Sequence, residues 1–216
     1  FISFNNQDLK AMKKINISGT ENMINCALGK KISKFCYVST IAAVGETTNS
    51  LIDEECEWKE NNNPYSETKH YAELEVWRGI SEGLNAVIVN PGVIVGSGFW
   101  KRGSGAFITQ VSRGMSYYPT GETGFICVKD VVKIMIKLMN KNIFSNRFIL
   151  VAENWAQRDF INSICKYFNM TPPVKKASKG IMYFGLLLDF LRSKLLNKRR
   201  RLSRSIIKSG QSLNKY

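Results

Sequence analysis

The spacing of apolar residues changes several times along this chain, and each change marks an element. From Asp8 to Leu28, Leu9, Met12, Ile15, Ile17, Met23, Ile24 and Ala27 recur at three- and four-residue intervals, which predicts a helix. Between Lys34 and Thr40 the period disappears. Phe35-Cys36-Tyr37-Val38 is a continuous apolar run closed by Ser39-Thr40, the pattern of a buried strand with hydroxyls at its carboxyl end. A polar, acidic stretch from Gly45 to Asn63 reads as loop. A second helix is predicted from Asn63-Pro64 to about Ser81, stopping before Gly83; asparagine suits the N-cap and proline the first helical position. Asn85 to Val89 is a second buried strand, broken at Asn90-Pro91-Gly92. Continuous apolar strands joined through a helix are the signature of a parallel α/β sheet.

Past Gly92 the glycines thicken, at Gly96, Gly98, Gly103 and Gly105. A helix is expected from about Ala106 to Gly114, a strand from Phe125 to Val128 and a helix from Asp130 to Asn140. A strand from Arg147 to Ala152 and a helix from Gln157 to Asn169 follow, before a break at Thr171-Pro172-Pro173. The stretch from Gly180 to Leu196 is strongly apolar and runs into a basic one. There is no internal repeat.

Composition narrows the chemistry. Hydrophobic residues make up 44% of the 216, enough to bury a core. The five cysteines are widely spaced without a C-x-x-C pair, which argues against a disulfide framework and suits a reducing, cytoplasmic setting. His70 is the single histidine, so a metal site with two histidines is excluded. It stands beside Lys69 in a helical pattern and reads as a flank residue. The formal charge of +14 is unevenly placed: residues 161–216 hold 13 Lys/Arg and one acid, Asp189, hence +12, and residues 1–160 only +2. The basicity belongs to the C-terminal quarter.

The strongest chemical signal is Tyr65-Ser66-Glu67-Thr68-Lys69. Positions i and i+4 share one face of a helix, so a phenol near its start and an ammonium one turn later point the same way. The helix N-terminus and the lysine charge both favour a phenolate, so the Tyr65 pKa is expected to fall. Alone, this spacing is common and reads in preference as a core tyrosine beside a solvated lysine. Its context sharpens it. Ser39-Thr40 and Asn90-Pro91-Gly92 end the two flanking strands, and open α/β sheets bind ligands at the carboxyl ends of strands.

Four blocks then occur in order: Asn16 to Asn22, Tyr37 to Gly45, Pro64 to Lys69, and Asn90-Pro91-Gly92-Val93-Ile94-Val95-Gly96. Together they resemble an extended short-chain dehydrogenase/reductase, of the NAD-dependent epimerase/dehydratase superfamily, over about residues 1–160. The resemblance implies a Rossmann-type parallel sheet with a small, mostly helical substrate lobe. Residues 1–155 would form an incomplete NAD(P)-binding domain, with 97–124 contributing to the lobe and 156–216 completing it. It also implies NAD or NADP as cofactor and leaves a homodimer open. Tyr65 would be the proton donor or acceptor, and Lys69 would hold the nicotinamide ribose. Thr40 stands where the family has its catalytic Ser or Thr, with Ser39 as the alternative. Ser39, Tyr65, Lys69, Pro91, Gly92 and Val93 would contact the cofactor, and Asn16 would be a structural polar residue beneath the site.

The family's opening strand and glycine-rich pyrophosphate turn are not found in these residues. Gly96/Gly98 and Gly103/Gly105 are glycine pairs without the third glycine, and neither is expected between a strand and a helix. The chain therefore reads as an N-terminally truncated member, a fragment, expected to bind cofactor weakly and to be inactive by itself.

Thr40 is followed by Ile41 and Ala42, where sugar-nucleotide dehydratases of the superfamily carry acids, and the strand before Asn90 is wholly apolar. The Asn-Pro-Gly block is similar to the dihydroflavonol reductase-like branch. The expected activity is hydride transfer between NAD(P)H and a ketone or secondary alcohol. A nucleotide-sugar epimerase using the same residues is the alternative. A third reading is a non-catalytic cofactor-sensing or membrane-associated protein, with residues 181–204 lying in a membrane interface next to Lys198-Arg199-Arg200-Arg201. That segment is interrupted by Asp189, Arg192 and Lys194 and is too short to span a bilayer. It is read in preference as a helix of the substrate lobe with a solvated basic end. Nucleic acid is not expected as a partner, since no aromatic residues interleave the basic run.

Overall fold

The computed structural model describes residues 1–45, 51–60, 63–196 and 203–216. Part of the expected Gly45–Asn63 loop and the Lys198–Arg201 run lie outside them.

The centre of the fold is set by a strand with no polar side. In β2 (Ala86–Pro91) every residue is buried, and it lies between β1 (Phe35–Val38) and β6 (Asn146–Leu150), parallel to both. Its side chains alternate between two cores. Ala86 and Ile88 pack with Ile24, Ala27, Val76 and Leu84, which come from α2 (Gly19–Gly29), α3 (Pro64–Ser81) and the loop after α3. Val87 and Val89 face Ile126, Val131, Leu138 and Leu150, beneath α5 (Val128–Met139). Helices on both faces account for the unbroken apolar run.

Proline ends β2 without cost to the ladder. Pro91 follows Val89 on the side that bonds β1, where Ser39 N–H donates to Val89 O, but β1 has already ended at Val38. Its missing N–H therefore faces no acceptor. The strand extends through Asn90 and Pro91, which pair with Ile149 and Leu150, rather than breaking before them.

The first helix is not uniform. It opens as α1 (Leu9–Met12), widens into a π-helical stretch at Lys13–Ser18 and resumes as α2. The widened turn carries Asn16, which is buried and donates to Thr68 Oγ1 at 3.2 Å. Asn63 caps α3 as predicted, its side chain accepting from Tyr65 N (3.1 Å) and Ser66 N (3.4 Å), with Pro64 at the first position. Helices α2 and α3 approach closely at Gly79, where a Cβ would sit 2.4 Å from Ile24 Cγ2.

A second sheet, not anticipated as such, joins β3 (Val93–Val95), β5 (Glu122–Cys127) and β7 (Glu153–Ala156). Strands β3 and β5 are parallel, β5 and β7 antiparallel. The chain enters it directly from β2 because Gly92 lacks a side chain: a Cβ there would lie 2.4 Å from Gly124 O. The later glycines do lie between a strand and a helix, contrary to expectation. Strand β3 precedes them and Gly103 opens α4 (Gly103–Val111). Gly105 has a packing reason, since a Cβ would meet Phe99 O at 2.3 Å. A third core joins α4, the short strand β4 (Tyr117–Tyr118) and α6 (Gln157–Tyr167) through Val111, Tyr118, Ile161, Ile164 and Cys165. Strand β8 (Lys175–Lys176) pairs with β4, and α7 (Lys179–Leu195) and α8 (Arg204–Ser209) follow.

Candidate active site

The parallel register places the carboxyl ends of β1 and β2 side by side, Val38 opposite Val89. Ser39 and Thr40 thus emerge next to Asn90 and Pro91, as open α/β sheets require of a ligand site. Thr40 is extended and caps a 3₁₀ turn at Ile41–Ala43, with its Oγ1 accepting from Ala42 N at 3.3 Å. Helix α3 enters beside this turn; Ser66 Oγ donates to Ala42 O, and this contact sets where Tyr65 stands.

Tyr65 and Thr40 come together, and the hydrogen bond from the Thr40 side chain holds the phenol's pKa down. Burial outweighs it, however, and the Tyr65 pKa lies above its ordinary value. The expected fall is corrected for a structural reason. The Lys69 ammonium is committed elsewhere, donating to Tyr37 Oη (2.9 Å) and Val38 O (3.0 Å) over the Tyr37 ring. Burial lowers the Lys69 pKa to about 8, with the Glu73 carboxylate acting in the opposite sense.

That carboxylate belongs to a network which sequence reasoning missed. Glu73 is 2% exposed. Its Oε2 accepts from Asn90 Nδ2 at 2.8 Å and its Oε1 faces Arg147 Nη1 at 3.4 Å. Asn90 Nδ2 also donates to Thr40 O at 3.1 Å. Arg147 in turn reaches the backbone of Glu54 and Cys56, and Glu54 Oε1 accepts from Ile149 N at 2.8 Å. The chain from Arg147 through Glu73 and Asn90 fixes the backbone of Thr40. Only the spacing of Lys69 and Glu73, four residues apart on one helical face, could have hinted at it.

The other predicted residues divide. Ser39 is buried at the strand end, and its Oγ has no partner. Pro91 lies beside it on β2. Gly92 and Val93 turn toward the second sheet, Gly92 N–H donating to Leu150 O and Val93 pairing with Phe125. His70 stands apart: its ring stacks on Trp58 at 4.2 Å, and burial lowers its pKa.

The profile of the NAD dependent epimerase/dehydratase family matches residues 1–152. The chain belongs to this family. It is 26% identical over 160 residues to sterol demethylase protein B of Methylococcus capsulatus, covering 71% of this chain and 48% of that protein. It is 30% identical over 93 residues to a Synechocystis protein provisionally described as a dihydroflavonol 4-reductase, covering 42% and 27%. The chain therefore spans about half, or less, of the length of these curated relatives. The crystal structure of gox2253 superposes over 100% of this chain and 67% of its own, with a TM-score of 0.81 and 25% identity. The α/β fold with its parallel sheet is that of the family.

The family is NAD-dependent, and the residues here fit one end of such a cofactor. The orphaned Ser39 Oγ calls for a polar group from outside the chain. Ser39 follows β1, Lys69 Nζ reaches Val38 O at the strand's carboxyl end, and Tyr65 stands beside Thr40.

Proposed function

We propose that this chain carries the proton-transfer residues of an NAD(P)-dependent oxidoreductase acting on a ketone or secondary alcohol. The observation that carries the reading is the Thr40–Tyr65 pair at the end of β1, with the Tyr65 pKa raised by burial. A phenol protonated at neutral pH is the form that donates. Thr40 and Tyr65 bind the substrate oxygen, and Tyr65 gives it a proton as the carbon is reduced. The nicotinamide supplies the hydride. Lys69 holds the ribose, from its place at the carboxyl end of β1 beside Val38 O. Position 41 is a buried isoleucine, which leaves no carboxylate next to Thr40 for elimination. The name of the sterol demethylase relative supports an apolar substrate.

The family's own description names epimerases, and a second reading is epimerisation through the same residues, with a nucleotide sugar as in the UDP-N-acetylglucosamine 4-epimerase of like fold. The test is the protein assayed with NADH and NADPH against ketones, sterol-like alcohols and UDP-sugars. Ketone or alcohol turnover is expected, with Tyr65→Phe lowering kcat by about 10²–10⁴. Intact turnover in Tyr65→Phe would sink the assignment, and activity on UDP-sugars alone would select the epimerase.

A further inference from the structure

Helix α7 is built inside out. A surface helix normally turns its apolar stripe to the core and its charges to water. Here Tyr183, Leu187, Leu191 and Leu195 form one i, i+4 row, Phe184 and Leu188 lie beside it, and all six are exposed, Phe184 by 62% and Leu195 by 82%. The side turned toward the protein carries the Asp189–Arg192 pair. Asp189 is the helix's one buried residue, with Arg192 Nη2 2.7 Å from its Oδ1. Gly185 and Met182 share that side, half-buried, and Met182 Sδ meets Gln211 Nε2 at 3.3 Å. The inner face meets the rest of the protein at the Met182–Gln211 contact, and the outer face presents an apolar stripe about 18 Å long from Tyr183 to Leu195. Burying Asp189 rather than Leu187 or Leu191 makes sense only if something else covers the stripe.

Charge selects what covers it. Lys175, Lys176, Lys179, Lys194 and Arg204 are all exposed around the helix, and residues 161–216 carry +12. A second copy docked through the same stripe would set Lys179 and Lys194 against their counterparts and bring together two segments of like charge. An anionic lipid surface takes both features at once: the stripe enters the acyl boundary and the lysines meet headgroups. No helix among the described residues is long and apolar enough to cross a membrane, so the contact lies in the plane of one leaflet. We propose that α7 is a monotopic anchor that seats this protein on anionic membranes through Tyr183, Phe184, Leu187, Leu188, Leu191 and Leu195.

Flotation with vesicles of phosphatidylcholine alone, or with 30% phosphatidylserine, tests this without touching the catalytic residues. The chain should float with the phosphatidylserine vesicles, and less at 0.5 M than at 0.1 M NaCl. The triple variant Phe184→Ser/Leu188→Ser/Leu191→Ser should bind at least tenfold less with an unchanged melting curve, since these side chains are already in solvent. Lys179→Glu/Lys194→Glu, which keeps the stripe, should lose the preference for phosphatidylserine. Wild-type chain remaining at the bottom of the gradient would overturn the proposal, as would a triple variant that floats normally. Sedimentation equilibrium showing a dimer that the triple variant dissolves, with no flotation, would assign the stripe to a second copy instead.

Discussion

Replacing Glu73 by alanine removes the centre of the network behind Thr40. The carboxylate is 2% exposed and receives Asn90 Nδ2 at 2.8 Å and Arg147 Nη1 at 3.4 Å. Breaking a buried charge pair from one side costs about 3–5 kcal/mol, because the remaining charge stays uncompensated. Arg147 is partly exposed and keeps its bonds to the Glu54 and Cys56 carbonyls, which places Glu73→Ala at the low end, about 3 kcal/mol. Glu73→Gln keeps the shape and an acceptor for Asn90. It loses only a long ion pair and should cost about 1–2 kcal/mol, the range of a hydrogen bond to a charged group less its neutral remainder. Urea unfolding with unchanged m-values measures both. A Glu73→Ala/Asn90→Ala cycle should show coupling of about 1–2 kcal/mol, as expected for residues in one network. Equal costs for Glu73→Ala and Glu73→Gln, or no coupling to Asn90, would refute the claim that Glu73 positions Thr40 through Asn90.

Lys69, with its pKa lowered to about 8 from 10.5, binds fewer protons folded than unfolded between those values, so stability should rise with pH across that window. Urea midpoints at pH 8 and 10 measure this, and Lys69→Met should flatten the rise. Because the Glu73 charge raises the Lys69 pKa, Glu73→Gln should lower it further, read from the ¹³C shift of methylated Lys69; an upward move contradicts the assignment. Gly79→Ala places a methyl against the stiff β-branched Ile24 at 2.4 Å and should cost about 1–3 kcal/mol by thermal melting, whereas a neutral result would mean α2 and α3 separate freely. Asn63→Ala removes the cap of α3 and should cost about 1 kcal/mol in the same assay.

Some of this protein could be read without its tertiary structure, because it is written locally. Asn63 and Pro64 mark the start of α3 by satisfying or lacking its first N–H groups, and Tyr65 and Lys69 share a face by helical geometry alone. The apolar runs at 35–38 and 86–89 announce strands covered on both sides, and the parallel sheet follows from the helix between them. Strands β3, β4, β7 and β8 were missed because two to four residues show no period.

What depends on distant neighbours needed the fold. Glu73, Asn90 and Arg147 stand far apart along the chain and meet only because β2 lies between α3 and β6. Tyr65 and Lys69 were found by spacing, but the direction of the Tyr65 pKa was not, since desolvation depends on what packs around the ring and where the ammonium turns. Helix α7 makes the same point most plainly. Its apolar and polar faces are visible in the sequence, but a pattern cannot say which face turns inward. What packs around the helix decided it: the Asp189 side is the buried one, which leaves the leucines outside.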